Sequence, residues 1–174
     1  NGQVALYLEW DWLTAERAFL KAIELNANYA NAHHLYAHLL QFTGRAEDAV
    51  REFERALELS PSSVQDLGCY AEHLINLGRY TEAESVVARA YEANPSYAPT
   101  HKFRGNLYVR RVKFDAALAE CREGAAQSKR VPPVTAQLAF AHAVLGQREE
   151  AQEMLKELTS QSAHAHVAVN MIAA

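Results

Sequence analysis

The sequence predicts an all-α fold built from antiparallel helix pairs, and three observations carry that reading. Gly44, Gly78, Val112 and Gly146 stand 34 residues apart, and so do Ala15, Ala49, Ala83, Ala117 and Ala151. Phe19, Phe53, Val87, Cys121 and Leu155 form a second series at the same interval, with Ala22, Ala56 and Ala90 as another. Pro61 and Pro95 punctuate the ends of successive units. A period of this length marks a repeat array, in which each unit buries its apolar face against its neighbours rather than around one central core.

Counted from this phase, a partial unit covers 1–29, repeats cover 30–63, 64–97, 98–131 and 132–162, and a terminal helix covers 163–174. The phase puts both Asn1 and Ala174 inside helices, so the whole of 1–174 reads as a single array excised from a longer protein. In each unit a first helix runs to just before the glycine, and a second follows it and carries the alanine and phenylalanine series. The glycines fit a sharp turn between helices, where a residue lacking a side chain takes positive φ at little cost. Val112 occupies that position in unit 98–131, so its turn is expected to be wider or strained. Ala37, Ala71, Gly105 and Ala139 recur on the first helix as Ala49, Ala83, Ala117 and Ala151 do on the second. Such small residues belong where two helices cross and their backbones must approach.

The bulk numbers narrow the function. Apolar residues make up 49% and charged residues 22% of the 174, a soluble mixture with few glycine or proline breaks. No basic, apolar leader opens the chain and no apolar run is long enough to span a bilayer, the longest uncharged stretch (131–147) reading as a buried helix. A cytoplasmic, reducing location follows as the expectation, with Cys69 and Cys121 as small packing residues lacking metal-ligand or redox spacing. The net charge of −4 and the lack of aromatics interleaved with the basic helix argue against nucleic acid. No Ser/His/Asp arrangement, phosphate loop or isolated carboxylate pair is present, so no enzymatic activity is expected.

Within a unit, the order is a small residue at the eighth position, Leu or Tyr at the eleventh, Ala at the twentieth, Phe at the twenty-fourth, Ala at the twenty-seventh and Pro at the thirty-second. It is best seen from Gly44 through Ala49, Phe53 and Ala56 to Pro61. This pattern resembles the tetratricopeptide repeat (TPR) over nearly the whole chain. The resemblance implies a right-handed α-solenoid whose first helices line a concave groove used to bind proteins or peptides. The opening Trp10-Asp11-Trp12, followed by Ala15-Glu16 and Asn28-Tyr29-Ala30, looks like the arrays fused to bacterial transcription regulators and serine/threonine kinases. Unit 98–131 departs from the pattern, with Val112 for Gly, Cys121 for Phe, Gly124 for Ala and Lys129 for Pro.

By the same resemblance, the groove-facing positions fall on His34, His38 and Phe42, then Cys69, Glu72 and Asn76, then Lys102, Phe103, Asn106 and Arg110, and finally Gln137 and Phe140. Lys102, Asn106 and Arg110 are spaced four apart and therefore stack along one helix face, a row that can hold a carboxylate. The first hundred residues carry about −7 and the remainder about +3, which favours an acidic peptide at this end; a solvated basic face is the alternative. Lys102 and Asn106 match two positions of the family's carboxylate clamp for heat-shock tails, but Gln137 replaces its next Asn, and Val167, Asn170 and Met171 supply no further cations. The asparagine ladder of the nucleocytoplasmic sugar transferases is absent, the series reading Leu35, Cys69, Phe103, Gln137.

His34 and His38 lie one helical turn apart and invite a metal reading, with Glu72 as a third donor. The thin spacing signal favours ordinary groove imidazoles, so no metal and no cofactor are expected. The sequence thus points to a bacterial regulatory interaction module with a peptide or partner domain in its groove and no membrane contact. A scaffold that self-associates through its terminal helices, forming a homo-oligomer, is the alternative.

Overall fold

The computed structural model describes residues 2–9, 11–97, 99–127 and 132–160. The predicted terminal helix at 163–174, and with it Lys129, Val167, Asn170 and Met171, lies outside them. The described chain is helical: α1 (Gly2–Val4) leads into a π-helical turn (Ala5–Glu9), followed by α2 (Trp12–Leu25), α3 (Ala30–Phe42) and α4 (Ala46–Leu59). Then come α5 (Val64–Asn76), α6 (Tyr80–Ala93), α7 (Pro99–Arg110), α8 (Phe114–Gln127), α9 (Pro132–Val144) and α10 (Arg148–Ser160). The most extensive packing joins α3 to α4, α5 to α6, α7 to α8 and α9 to α10, and each pair then stacks on the next. The fold is the α-solenoid that the period predicts.

Small residues set the spacing within each pair. Ala15, Ala37, Ala49, Ala71, Ala83, Ala117 and Ala139 are completely buried, so no side chain beyond a methyl group separates the crossing backbones. Larger apolar residues interlock around them. Phe53 is wholly buried, stacked against Tyr70 at 5.8 Å and tilted against His73 at 5.7 Å. The core is accordingly a row of side-chain clusters along the array, the largest running from Ala37 on α3 to Leu107 on α7.

Each first helix ends in the same doubly hydrogen-bonded turn. Arg45 N donates to Leu40 O at 2.8 Å and Gly44 N to Gln41 O at 3.3 Å, satisfying carbonyls that the helix end would otherwise leave unpaired. The turn requires a left-handed residue, and Gly44, Gly78 and Gly146 supply φ of 77°, 75° and 75°. In unit 98–131 the same two bonds form, Lys113 N to Tyr108 O at 2.8 Å and Val112 N to Val109 O at 3.0 Å. Val112 is forced to φ 59° to make them. Of the two expectations for this turn, strain is the outcome and widening is not, because the hydrogen bonds fix the geometry and the β-branched residue absorbs the cost.

The joint between α5 and α7 has a different device. A Cβ at Gly68 would lie 2.0 Å from Cε2 of Phe103, so the Phe103 ring occupies the space that any side chain at 68 would need. This lets α5 pack on α7 more extensively than α7 packs on α9. Buried polar pairs alternate along the array as well. His33 Nδ1 lies 2.6 Å from Glu52 Oε2, and two units later His101 Nδ1 lies 2.9 Å from Glu120 Oε2, whereas the intervening unit places Leu67 and Val86 at these positions.

Two substitutions test these statements. Val112→Gly is expected to relieve the left-handed strain and raise stability by roughly 1 kcal/mol, read as a higher urea midpoint. Gly68→Ala is expected to cost roughly 1–3 kcal/mol by driving a methyl group into the Phe103 ring, and a midpoint equal to wild type would contradict that packing.

Candidate groove of the array

The first helices present their side chains in rows, because positions one repeat apart on successive helices are neighbours in space. The middle row reads His38, Glu72, Asn106 and Phe140, each half-buried, and the outer row Phe42, Asn76, Arg110 and Val144, each exposed. The middle row is knitted together by polar contacts. Lys102 Nζ lies 3.1 Å from Glu72 Oε1, and Asn106 Nδ2 donates to the same oxygen at 3.4 Å. Gln137 Nε2 donates to Asn106 Oδ1 at 2.6 Å and to the Lys102 carbonyl at 2.9 Å. Glu72, Lys102, Asn106 and Gln137 therefore form one ladder across α5, α7 and α9.

This changes the roles expected from the sequence. Lys102 is not a bare anion holder, since Glu72 already gives it a carboxylate. Arg110 sits exposed at the end of the row, and no acidic partner within ion-pair distance is found for it among the described residues. Phe103 is withdrawn from the groove: it is 7% exposed because its ring fills the space beside Gly68. His34 is also withdrawn, at 4% exposed, and its Nδ1 lies 2.9 Å from Asp66 Oδ1. Phe42, by contrast, is half exposed, in an aromatic patch with Tyr7 at 6.4 Å, Trp12 at 6.0 Å and His38 at 6.3 Å.

Glu72, turned to Lys102 and Asn106, is not the donor that joins the histidines. Cys69 takes that place: potential ligand atoms of His34, His38 and Cys69 all lie within 4.8 Å of one another. Cys69 also packs against the main core cluster, as expected of a small packing residue. The His34 and His38 rings meet edge to face at 4.7 Å. Burial, with a smaller contribution from the neighbouring His34 and His73 and partly offset by Asp66, holds His38 down to about 4. Burial also pushes the Cys69 thiol up to about 11, reinforced by the negative charges of Glu72 and Asp66. At neutral pH this corner thus holds an uncharged imidazole and a protonated thiol.

Sequence reasoning missed the two buried His–Glu pairs, although their common spacing of 19 residues, repeated 68 residues on, was available as a signal. Arg104 adds to the second pair, lying 3.1 Å from Glu120 while its guanidinium sits 4.8 Å from the Tyr91 ring centre. Clefts of about 330 and 260 Å³ lie elsewhere, one lined by Arg122, Leu138 and Met154 and the other by Tyr91, Arg104 and Tyr108. Neither takes in a predicted groove residue. Among the described residues, no helix is long and apolar enough to cross a membrane.

Helix pairs stacked one on the next define a helical-repeat scaffold of the kind that binds other proteins. Models of the tetratricopeptide repeat match residues 36–98, 71–132, 18–51 and 132–157, and the chain belongs to that family. No curated protein matches the sequence. Among solved structures, a thermophilic TPR protein of Thermus thermophilus superposes with a TM-score of 0.85 at 22% identity, over 98% of this chain and 93% of that one. PilF of Pseudomonas aeruginosa gives 0.80 at 19% identity over 93% and 73%, and MamA of Desulfovibrio magneticus 0.72 at 17% over 93% and 93%. At these identities the likeness is one of fold.

The ladder yields a prediction about its own weight. Glu72→Gln removes the charge facing Lys102 but keeps a hydrogen-bond acceptor, and because both side chains are about one-third exposed the loss should stay below about 1 kcal/mol. Chemical denaturation measures it; a loss of several kcal/mol would mean that the ladder holds the helices together.

Proposed function

We propose that the array is a protein–protein interaction module, without catalytic activity of its own, that holds an extended peptide segment or a partner domain in the concave groove. The observation that carries this is the pairing of an exposed aromatic patch with an exposed cation on one outer row. Phe42 with Tyr7 offers an apolar anchor at one end, and Arg110, two repeats along the same row, offers a charge. Exposed aromatic and arginine side chains flanking an open groove suit a ligand that brings an apolar side chain and a carboxylate. The ladder between them presents amides and a neutralised lysine, which orient a main chain without adding net charge.

The parent is a bacterial, cytoplasmic regulatory protein in this reading, supported by the likeness of Trp10-Asp11-Trp12 and its following segment to arrays fused to transcription regulators and serine/threonine kinases. The net positive charge of the C-terminal part favours an acidic segment as partner.

A peptide array probed with the protein and with Phe42→Glu and Arg110→Glu variants tests the proposal. Both side chains are exposed, so the variants should keep the wild-type melting temperature. Peptides carrying an apolar residue and acidic residues should bind the wild type and lose at least tenfold in affinity with either variant. Binding indifferent to both changes, or no peptide preference at all, would sink the groove reading in favour of a spacer or self-associating scaffold.

A further inference from the structure

We infer that His34, His38 and Cys69 form a metal site for a borderline or soft ion such as Zn²⁺, spanning the joint between α3 and α5. This goes beyond peptide binding and does not depend on it.

The argument starts from helix geometry. Residues four apart on α3 lie one above the other, so His34 and His38 present their rings to the same side, with centroids 4.7 Å apart. Cys69 on α5 faces them, because it lies one repeat plus one residue beyond His34 and the repeat brings equivalent positions of successive first helices together. The three candidate ligand atoms fall within 4.8 Å of one another. Tetrahedral coordination by two imidazoles and a thiolate needs separations of about 3.3–3.6 Å, given metal–nitrogen distances near 2.0 Å and metal–sulfur near 2.3 Å. Metal binding would therefore draw the three atoms closer, and His38 and Cys69, only partly buried, are the side chains placed to move.

A second, independent observation concerns the shell around the ligands. Nδ1 of His34 is buried without a hydrogen-bond partner: Asp66 Oδ1 lies 2.9 Å away but not in hydrogen-bonding alignment. Asp66 is itself fixed at the start of α5, where the Ser63 hydroxyl caps the helix by accepting from Asp66 N at 3.3 Å. A buried imidazole nitrogen that makes no hydrogen bond within the protein is open to a ligand or an ion. Two imidazoles and one sulfur favour zinc or copper over magnesium or calcium. On binding, the Cys69 S–H bond breaks, its proton leaves to solvent, and sulfur donates its electron pair to the metal. No oxidation state changes.

Cobalt(II) titration of the whole protein, stripped with chelator beforehand, tests the site. One equivalent of cobalt should produce the strong visible absorption of a tetrahedral centre together with a near-ultraviolet thiolate-to-cobalt band, both discharged by zinc. Cys69→Ser should abolish the near-ultraviolet band while circular dichroism stays native, and Cys121→Ser should leave it unchanged. His38→Gln should weaken cobalt affinity at least tenfold. The inference is overturned by absence of the band at saturating cobalt, by its survival in Cys69→Ser, by its loss in Cys121→Ser, or by wild-type affinity in His38→Gln.

Discussion

Everything in this molecule rests on the close approach of two helix backbones at an alanine. The alanines at the crossings are buried, all but Ala151 to zero exposure, and no larger side chain fits between the backbones. Because the same small residues recur every 34 positions, the same crossing recurs, and identical crossings generate the stack. The groove is a by-product of that stacking: successive first helices end up side by side, and residues one repeat apart become neighbours without any contact designed for the purpose.

On this regular frame, unit 98–131 spends stability in one place and gains it in another. Val112 carries a left-handed backbone that a glycine would accept without strain, while Phe103 fills the notch left by Gly68. His33 and His101, buried against Glu52 and Glu120, add fixed polar contacts inside two of the units. Largely buried polar contacts of this kind give little net stability but penalise any packing that would separate them. The repeat is thus regular in backbone and individual in side chains.

The backbone part was legible from the sequence and much of the side-chain part was not. Gly44, Ala49 and Phe53 answer to one constraint each, so their spacing reports it directly. The turn at Val112 was only half legible, since a missing glycine signals trouble but not whether geometry or conformation yields. Cys69 was read in isolation because its partners lie 35 and 31 residues away, and Glu72 was assigned to the histidines although Lys102 and Asn106 stand 30 and 34 residues beyond it. Separations near the repeat length are contacts in an array, and that rule applied to polar residues would have shown both groups. The withdrawal of Phe103 was hidden for another reason: it depends on the absence of a side chain at Gly68.

That absence also fixes a direction. A ring lodged in a slot resists rotation of α7 about its own axis, in the way a key stops a shaft from turning in its hub. Lys102, Asn106 and Arg110 ride on that shaft, so the azimuth at which they meet the groove is set from behind by Phe103. A change at residue 68, a position with no side chain to touch any ligand, would therefore re-aim the polar face of the groove as surely as a change within it.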